Sequence, residues 1–323
     1  MNFVIENKSH MHHLTWISIC FSFLLCWTVS YGQEETNKIP ELNGHVFIPN
    51  VFIEGPFMNS TFDLSVGLAS TGQYKYPIFD IDDNQVYGVT GNLLFVNIGL
   101  EYQQKIQDWV SVRIKSKIFA RVGTNIGSIL AEGFSTIRSF QIGWKIRIYE
   151  SKKTKLSTMV GVSNYNGTFL SVSKFVEDVI NNNPYPSLVT NTPALNGNLG
   201  FQFAYGISEL FGLNANYLSA VGESLEKDKT AYYFSFGTGI DLNLYQKYDV
   251  PLGFSLLYVL SSTPEQVYRE SGLSNAINLK LAYTGTSDFI IGLQASYAQI
   301  PIEDVQGNFS ALGISFGLTY YFN

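Results

Sequence analysis

Cations recur along this chain at a spacing that could do chemistry. Arg113, Lys115, Lys117 and Arg121 fall on one parity of a run whose other parity includes Val110, Val112, Ile114 and Ile118. Lys145 and Arg147 stand opposite Ile142, Trp144, Ile146 and Ile148, and Lys280 adds a further cation downstream. Period-two alternation gathers each set on one face of a strand. Ammonium and guanidinium groups crowded into a confined passage bind anions and select anionic solutes. The structural alternative is that acids neutralise them. Strand positions offer only Asp63, Glu101 and Asp241, so further acids would have to come from Glu54 and its neighbours or from Glu177 and Asp178.

Other chemistries find little support. Beyond the first 32 residues His45 is the only histidine, and a hydroxyl nucleophile needs a base within hydrogen-bond reach. No catalytic residues are assigned and the chain does not read as an enzyme. Cys20 and Cys26 both fall in an N-terminal apolar run, which leaves the remainder without a thiol ligand. Asp80, Asp82, Asp83 and Asn84 are spaced faintly like a calcium loop. No glycine follows Asn84, however, and Gly91 stands where the closing glutamate belongs, so a solvated acidic loop is expected. No phosphate loop, dinucleotide fingerprint or cysteine zinc pattern is present, and neither a metal nor a cofactor is expected. The Asn-x-Ser/Thr triplets at Asn59, Asn166 and Asn308 read as chance matches. A net charge of −6 without a basic exposed patch argues against nucleic acid as a partner.

The elements that must position the cations are strands. Charged residues make up 14% of the chain against 15% aromatics, a balance unusual for a soluble protein. Twelve segments alternate: 60–70, 92–103, 109–122, 138–149, 156–164, 198–206, 210–219, 230–244, 251–261, 275–284, 288–298 and 309–322. In the eighth, Tyr232, Phe234, Phe236, Thr238, Ile240 and Leu242 take one face, while Tyr233, Ser235, Gly237, Gly239, Asp241 and Asn243 take the other. Residues so small and polar cannot fill a core, so the apolar face points outward into lipid and the fold class is all-β, an up-and-down transmembrane barrel. A cation on the lipid face near the midplane would cost about 2–4 kcal/mol, which assigns the basic ladder to the lumen. Pairing across 123–137 is expected to bring Lys115 near Lys145 and Arg113 near Arg147. Connections alternate long and short, beginning with 71–91, 104–108, 123–137 and 150–155, as outer loops and periplasmic turns do. Aromatics at strand ends, including Tyr102, Phe211, Tyr283, Tyr232 and Tyr258, read as two interfacial girdles.

The last stretch, LGISFGLTYYFN, alternates strictly and ends almost on an aromatic. It resembles the closing strand of Gram-negative bacterial outer-membrane β-barrels of the channel or porin kind. That resemblance implies membrane lipid and lipopolysaccharide as surroundings. It also implies recognition by the barrel-assembly machinery through Gly317, Tyr320 and Phe322.

Three regions follow. Residues 1–32 read as an export signal: Lys8 and three histidines precede the apolar run Leu14–Val29, and Ser30 and Gly32 suit cleavage before Gln33. Residues 33–59, broken by Pro40, Pro49 and Pro56, form a pre-barrel segment that packs into the periplasmic mouth or lumen, or is a loose lead-in. Residues 60–323 form the barrel, with an amphipathic helix at 168–180 in its longest outer loop. The first functional expectation is an outer-membrane channel or uptake barrel for small polar, anionic solutes. A closed barrel with a structural, adhesive or assembly role is the alternative. A hydrophobic-substrate transporter, similar to the fatty-acid uptake barrels that carry an N-terminal plug, is a third.

Overall fold

The computed structural model describes residues 39–72, 74–81, 84–123, 133–225, 229–263, 273–301 and 308–322. The expected export signal, as well as Asp82 and Asp83 of the acidic loop, lies outside them. A two-stranded hairpin, β1 (Glu41–Leu42) and β2 (His45–Val46), precedes β3 (Ser60–Thr71). A second hairpin, β4 (Tyr74–Ile81) and β5 (Asn84–Gly91), follows. Then come β6 (Leu94–Gln107), β7 (Val110–Val122), β8 (Gly133–Glu150), β9 (Thr154–Leu170), β10 (Val189–Gly206) and β11 (Phe211–Glu223). The chain ends with β12 (Thr230–Asn243), β13 (Leu252–Ser261), β14 (Ser274–Tyr283), β15 (Phe289–Pro301) and β16 (Asn308–Phe322).

Strand β3 and strands β6 to β16 form one closed antiparallel barrel of twelve strands. It closes where β16 pairs with β3, with Phe322 opposite Ser60 and Ala311 opposite Thr71. Closure leaves no strand edge with unpaired backbone, the condition a sheet must meet to sit in hydrocarbon. Alternation decides the two faces. Along β13, Leu252, Phe254, Leu256 and Tyr258 are exposed, while Leu257, Val259, Ser255 and Ser261 are buried inside. Leu312 and Ile314 on β16 expose 66% and 67% of their surface, and the same apolar belt runs through Ile277, Leu279, Trp144 and Leu293. An apolar surface this continuous is stable only against lipid. Aromatic rings stack at one rim of the belt: Tyr102 on Phe322 at 5.7 Å and Tyr283 on Phe289 at 6.2 Å between centroids.

Several elements differ from their expected limits. Strands β8, β9 and β10 run past 138–149, 156–164 and 198–206 at their long-loop ends. There Asn164, Asn166 and Thr168 replace the apolar outer parity, so the hydropathy signal stops while the ladder continues through Asn166–Pro193 and Thr168–Asn191. At about 3.3 Å per residue, strands of this length outreach a hydrocarbon core of about 30 Å. Residues 71–91 carry the β4–β5 hairpin rather than a plain loop, in keeping with the strand preference of their tyrosines and valines. Helix α1 (Val172–Ile180) is shorter than 168–180 because Phe169 and Leu170 complete β9. Its Ser171 cap accepts the Lys174 N–H at 3.2 Å.

The lipid face can be tested directly. Ile314→Arg, in the middle of β16, is expected to lower barrel stability by about 2–4 kcal/mol in reversible urea titrations from lipid vesicles. A cost below 1 kcal/mol, about the size expected at an interface, would contradict the assigned face.

Candidate functional site

Residues 39–59 run through the barrel interior, and their composition explains how. Three prolines prevent a continuous helix or ladder, which leaves the carbonyls beyond the first hairpin available. The chain bends at residues 51–53, where Asn50 Oδ1 accepts the Phe52 N–H at 3.0 Å. Asn43 and Gly44 both take positive φ, 53° and 80°, the pair of conformations that closes a tight β-hairpin. This hairpin seats on the short-turn end of the barrel. Asn43 N–H donates to the Lys152 carbonyl at 3.0 Å, and Asn43 Nδ2 donates to the Gly206 carbonyl at 3.2 Å. His45 Nδ1 lies 3.3 Å from the Glu209 carbonyl, and its ring meets Phe47 edge-on. A β-carbon on Gly212 would strike the His45 ring, so the wall must be bare there.

The segment is anchored by three apolar contacts. Val46 and Ile48 pack with Ala282, Ile290 and Tyr321; Leu42, Phe47 and Phe57 pack with Ala204; Ile53 packs with Leu257 and Val259. Between these contacts, wall side chains donate to the segment's backbone. Asn243 Nδ2 meets Val46 O at 3.3 Å, Lys280 Nζ meets Pro49 O at 2.5 Å and Lys145 Nζ meets Gly55 O at 2.9 Å. Gln103 Nε2 serves two carbonyls, Phe57 O at 2.9 Å and Asn59 O at 2.7 Å.

At the centre lies an ion cluster. The Arg113 guanidinium, 2% exposed, grips Glu101 with both faces of its fork, Nε to Oε1 at 2.5 Å and Nη2 to Oε2 at 2.7 Å. Its remaining Nη1 donates to Glu54 Oε2. Lys115 Nζ lies 3.1 Å from Glu54 Oε1 and 3.6 Å from Glu101 Oε2. Beside them Asp63, paired in register with Glu101, accepts hydrogen bonds from Thr61 at 3.1 Å and from Thr319. Burial by itself would raise the Glu54 pKa. Arg113 and then Lys115 more than reverse that, holding the carboxyl well below the ordinary carboxylate range. Burial also lowers His45 from 6.5 to about 4, against a smaller opposing effect of the Glu209 carbonyl.

The other cations divide by height. Lys117 joins Lys115, Lys145, Lys280, Asp63 and Asn214 around a cavity of about 130 Å³ that also touches Glu54 and Ile53 of the segment. Arg121 lies towards the long-loop end, opposite Phe95 in the ladder, where Phe95 stacks on Phe119 at 5.1 Å. Arg147 sits at the short-turn end and pairs with Glu150, which also holds Lys155 at 2.7 Å. The expected cross-strand pairs Lys115–Lys145 and Arg113–Arg147 are not formed, although Lys115 and Lys145 line the same cavity. The β7–β8 ladder sets Arg113 opposite Gly143, Lys115 opposite Gln141 and Ser111 opposite Lys145, a shift of four residues from that register. Loop length does not set register here, because the ladder continues above the apolar belt. Asp241 is buried and accepts from Asn214 Nδ2 at 2.9 Å. Glu177 is exposed on α1, and the acid that meets the cations is Glu54. Sequence reasoning missed Gln103, Asn214, Asn243 and Thr319. Their signal was a polar side chain on the inward parity. Among the described residues no cluster of metal-ligating side chains occurs.

No protein-family model matches the sequence, and no curated protein matches it. Solved structures similar to this chain include the toluene transporter TodX of Pseudomonas putida, at 9% identity over 90% of this chain and 98% of that one, TM-score 0.42. The NanC porin is similar at 9% identity over 80% and 98%, TM-score 0.45. The translocator domain of the autotransporter NalP from Neisseria meningitidis is similar at 10% identity over 84% and 90%, TM-score 0.46. At these scores the likenesses do not bear on function.

Two expectations follow from the cluster. Arg113→Met strands Glu54 and Glu101 together, which should cost about 3–5 kcal/mol. Lys115→Met leaves Arg113 in place and should cost clearly less in the same unfolding assay; equal costs would contradict the geometry. For His45, the folded pKa lies below the unfolded one, so its effect is absent above pH 6.5 and stability falls as pH drops from 6.5 towards about 4. His45→Gln should flatten that part of the stability profile, and an unchanged slope would remove His45 from the account.

Proposed function

We propose that this protein is a non-enzymatic outer-membrane transport barrel held shut by its own residues 39–59. Displacement of this plug opens a hydrated, cation-bearing lumen to small polar and anionic solutes. The proposal includes export through a cleaved signal at residues 1–32 and insertion by the assembly machinery through Gly317, Tyr320 and Phe322. It also places lipid and lipopolysaccharide against the apolar belt.

One observation carries the reading: Glu54 of the plug is shared by Arg113 and Lys115 of the wall. A plug meant to stay is held best by apolar packing, since taking charges out of water costs several kcal/mol per ion. Here Glu54 is held by ion pairs, and carbonyls on either side of it by lysine and amide donors, alongside the apolar contact of Ile53. Water and small ions can replace such contacts when the plug leaves. The wall behind it is also polar, with Asn214 Oδ1, Asn216 Oδ1, Asn278 Nδ2 and Gln294 Oε1 buried and without a hydrogen-bond partner. That wall does not suit a hydrophobic cargo. The apolar anchor at Ile48, Ile290 and Tyr321 favours the second reading, a permanently closed barrel with a structural role.

Charge reversal at the latch separates the two. Glu54→Lys sets a third cation against Arg113 and Lys115. The plug should then leave, and planar bilayers should show a several-fold rise in conductance with anion preference. A folded variant, recognised by its heat-modifiable migration, that conducts no more than the parent protein would contradict transport through this lumen and leave the closed barrel.

A further inference from the structure

The plug is a peptide, and the wall that holds it is built to hold a peptide. The donors Lys280, Lys145 and Gln103 each end on a plug backbone carbonyl rather than on a plug side chain. They reach Pro49, Gly55, Phe57 and Asn59, so contact is made along the chain direction and not at one point. Backbone recognition of this kind is indifferent to most side chains, as in the capture of extended peptides by proteins that read main-chain groups. Side-chain reading is confined to two places. One is the Arg113–Lys115 pair, which takes a carboxylate in charge-assisted contacts. The other is a notch for a branched apolar residue, where Ile53 lies against Leu257 and Val259. A β-carbon on Gly237 would collide with Ile53, so the wall is cut away to admit it.

The wall also presents acceptors that the plug leaves unused. Asn214 Oδ1 and Asn216 Oδ1 are buried without a partner; Asn214 lines the cavity beside Glu54, and Asn216 flanks Gly237 where Ile53 sits. Donors for carbonyls, acceptors for N–H groups, one carboxylate clamp and one apolar notch together describe a binding site for a peptide.

We infer that the lumen recognises a short acidic peptide, with residues 49–56 of the plug as its built-in occupant. This rests on the reading that the plug can be displaced. An incoming peptide would take the carboxylate clamp and the carbonyl donors as the plug vacates them. Displacement and recognition would thus be a single exchange, and the barrel would open to the ligand that fits it. A bare carboxylate could engage only the clamp.

The test uses the full chain carrying Glu54→Lys, in which the wall is intact, and the octapeptide PNVFIEGP, the sequence of residues 49–56. Added to the short-turn side of a planar bilayer, the peptide should block the current saturably. The same peptide with Gln in place of Glu should need about tenfold more, the loss expected for a charge-assisted contact. Lys115→Gln in the same background should weaken the block comparably. If Glu54→Lys opens the barrel but the octapeptide does not block at millimolar concentration, the inference fails while the plug reading stands. Equal block by a scrambled peptide or by acetate would also overturn it, pointing to a simple anion site. If Glu54→Lys does not conduct, the plug reading is the one that fails. Should that variant not fold, Glu54→Gln with a dye-labelled octapeptide provides the same comparison by fluorescence anisotropy. Binding should there be at least about tenfold tighter than to the parent chain, since a neutral side chain competes poorly for the clamp. Equal affinity would contradict the exchange.

Discussion

A buried guanidinium needs acids, and the lumen of this barrel places Arg113 where water alone does not serve it. Arg113 cannot give up its charge, so every acid within reach is drawn to it. Glu101, one strand away, supplies one carboxylate, and among the described residues the remaining nitrogen meets no second carboxylate of the wall. Asp63 stands beside Glu101 but is occupied by Thr61 and Thr319. The second acid comes from Glu54, which lies six residues before β3. To bring it there, the chain before β3 enters the interior, and residues 39–53 pack there with it. The prolines, the Asn43–Gly44 turn and the glycines of the facing wall make that path possible.

The plug therefore has two kinds of hold. One is the hold of a protein core: Ile48 on Tyr321 and Ile290, Phe47 and Phe57 on Ala204, and Ile53 on Leu257 and Val259. The other is charge at Glu54 and donors to the carbonyls between those contacts. Apolar burial gains stability in proportion to area and has no specific trigger. An ion pair can be replaced by another ion of the same sign. In the proposed function, joining the two in one segment provides a closure that is stable at rest and still answers to chemistry.

Much of the fold was legible because one physical rule generates it. Lipid outside and water inside force period-two alternation on each membrane strand, and TAYYFSFGTGIDLN in β12 shows it without ambiguity. The same rule sends Arg113, Lys115, Lys117, Lys145 and Lys280 to one side, since the other side is hydrocarbon. The rule falls silent where lipid ends. Beyond the belt, Asn164 and Asn166 take the outer face of β9, and the strands continued unseen; the β7–β8 register was misplaced for that reason. Sequence also offered two sources of neutralising acid, Glu54 and the Glu177–Asp178 pair, without choosing between them. That choice depends on contacts between residues far apart in the chain, such as Lys280 with Pro49 and Gln103 with Phe57, for which no local pattern exists.

The central claim is that residues 39–59 close the lumen and that their position controls passage. Ile53 lies against Gly237, so cysteines at these two positions can bridge plug and wall. The decisive measurement is the bilayer current through Ile53→Cys/Gly237→Cys in the Glu54→Lys background, with Cys20 and Cys26 replaced by serine, before and after reduction. The account predicts a silent barrel when the bridge is formed and an anion-preferring current that appears on adding reductant. A current of the same size in both states, with the bridge verified by mass spectrometry, would contradict it.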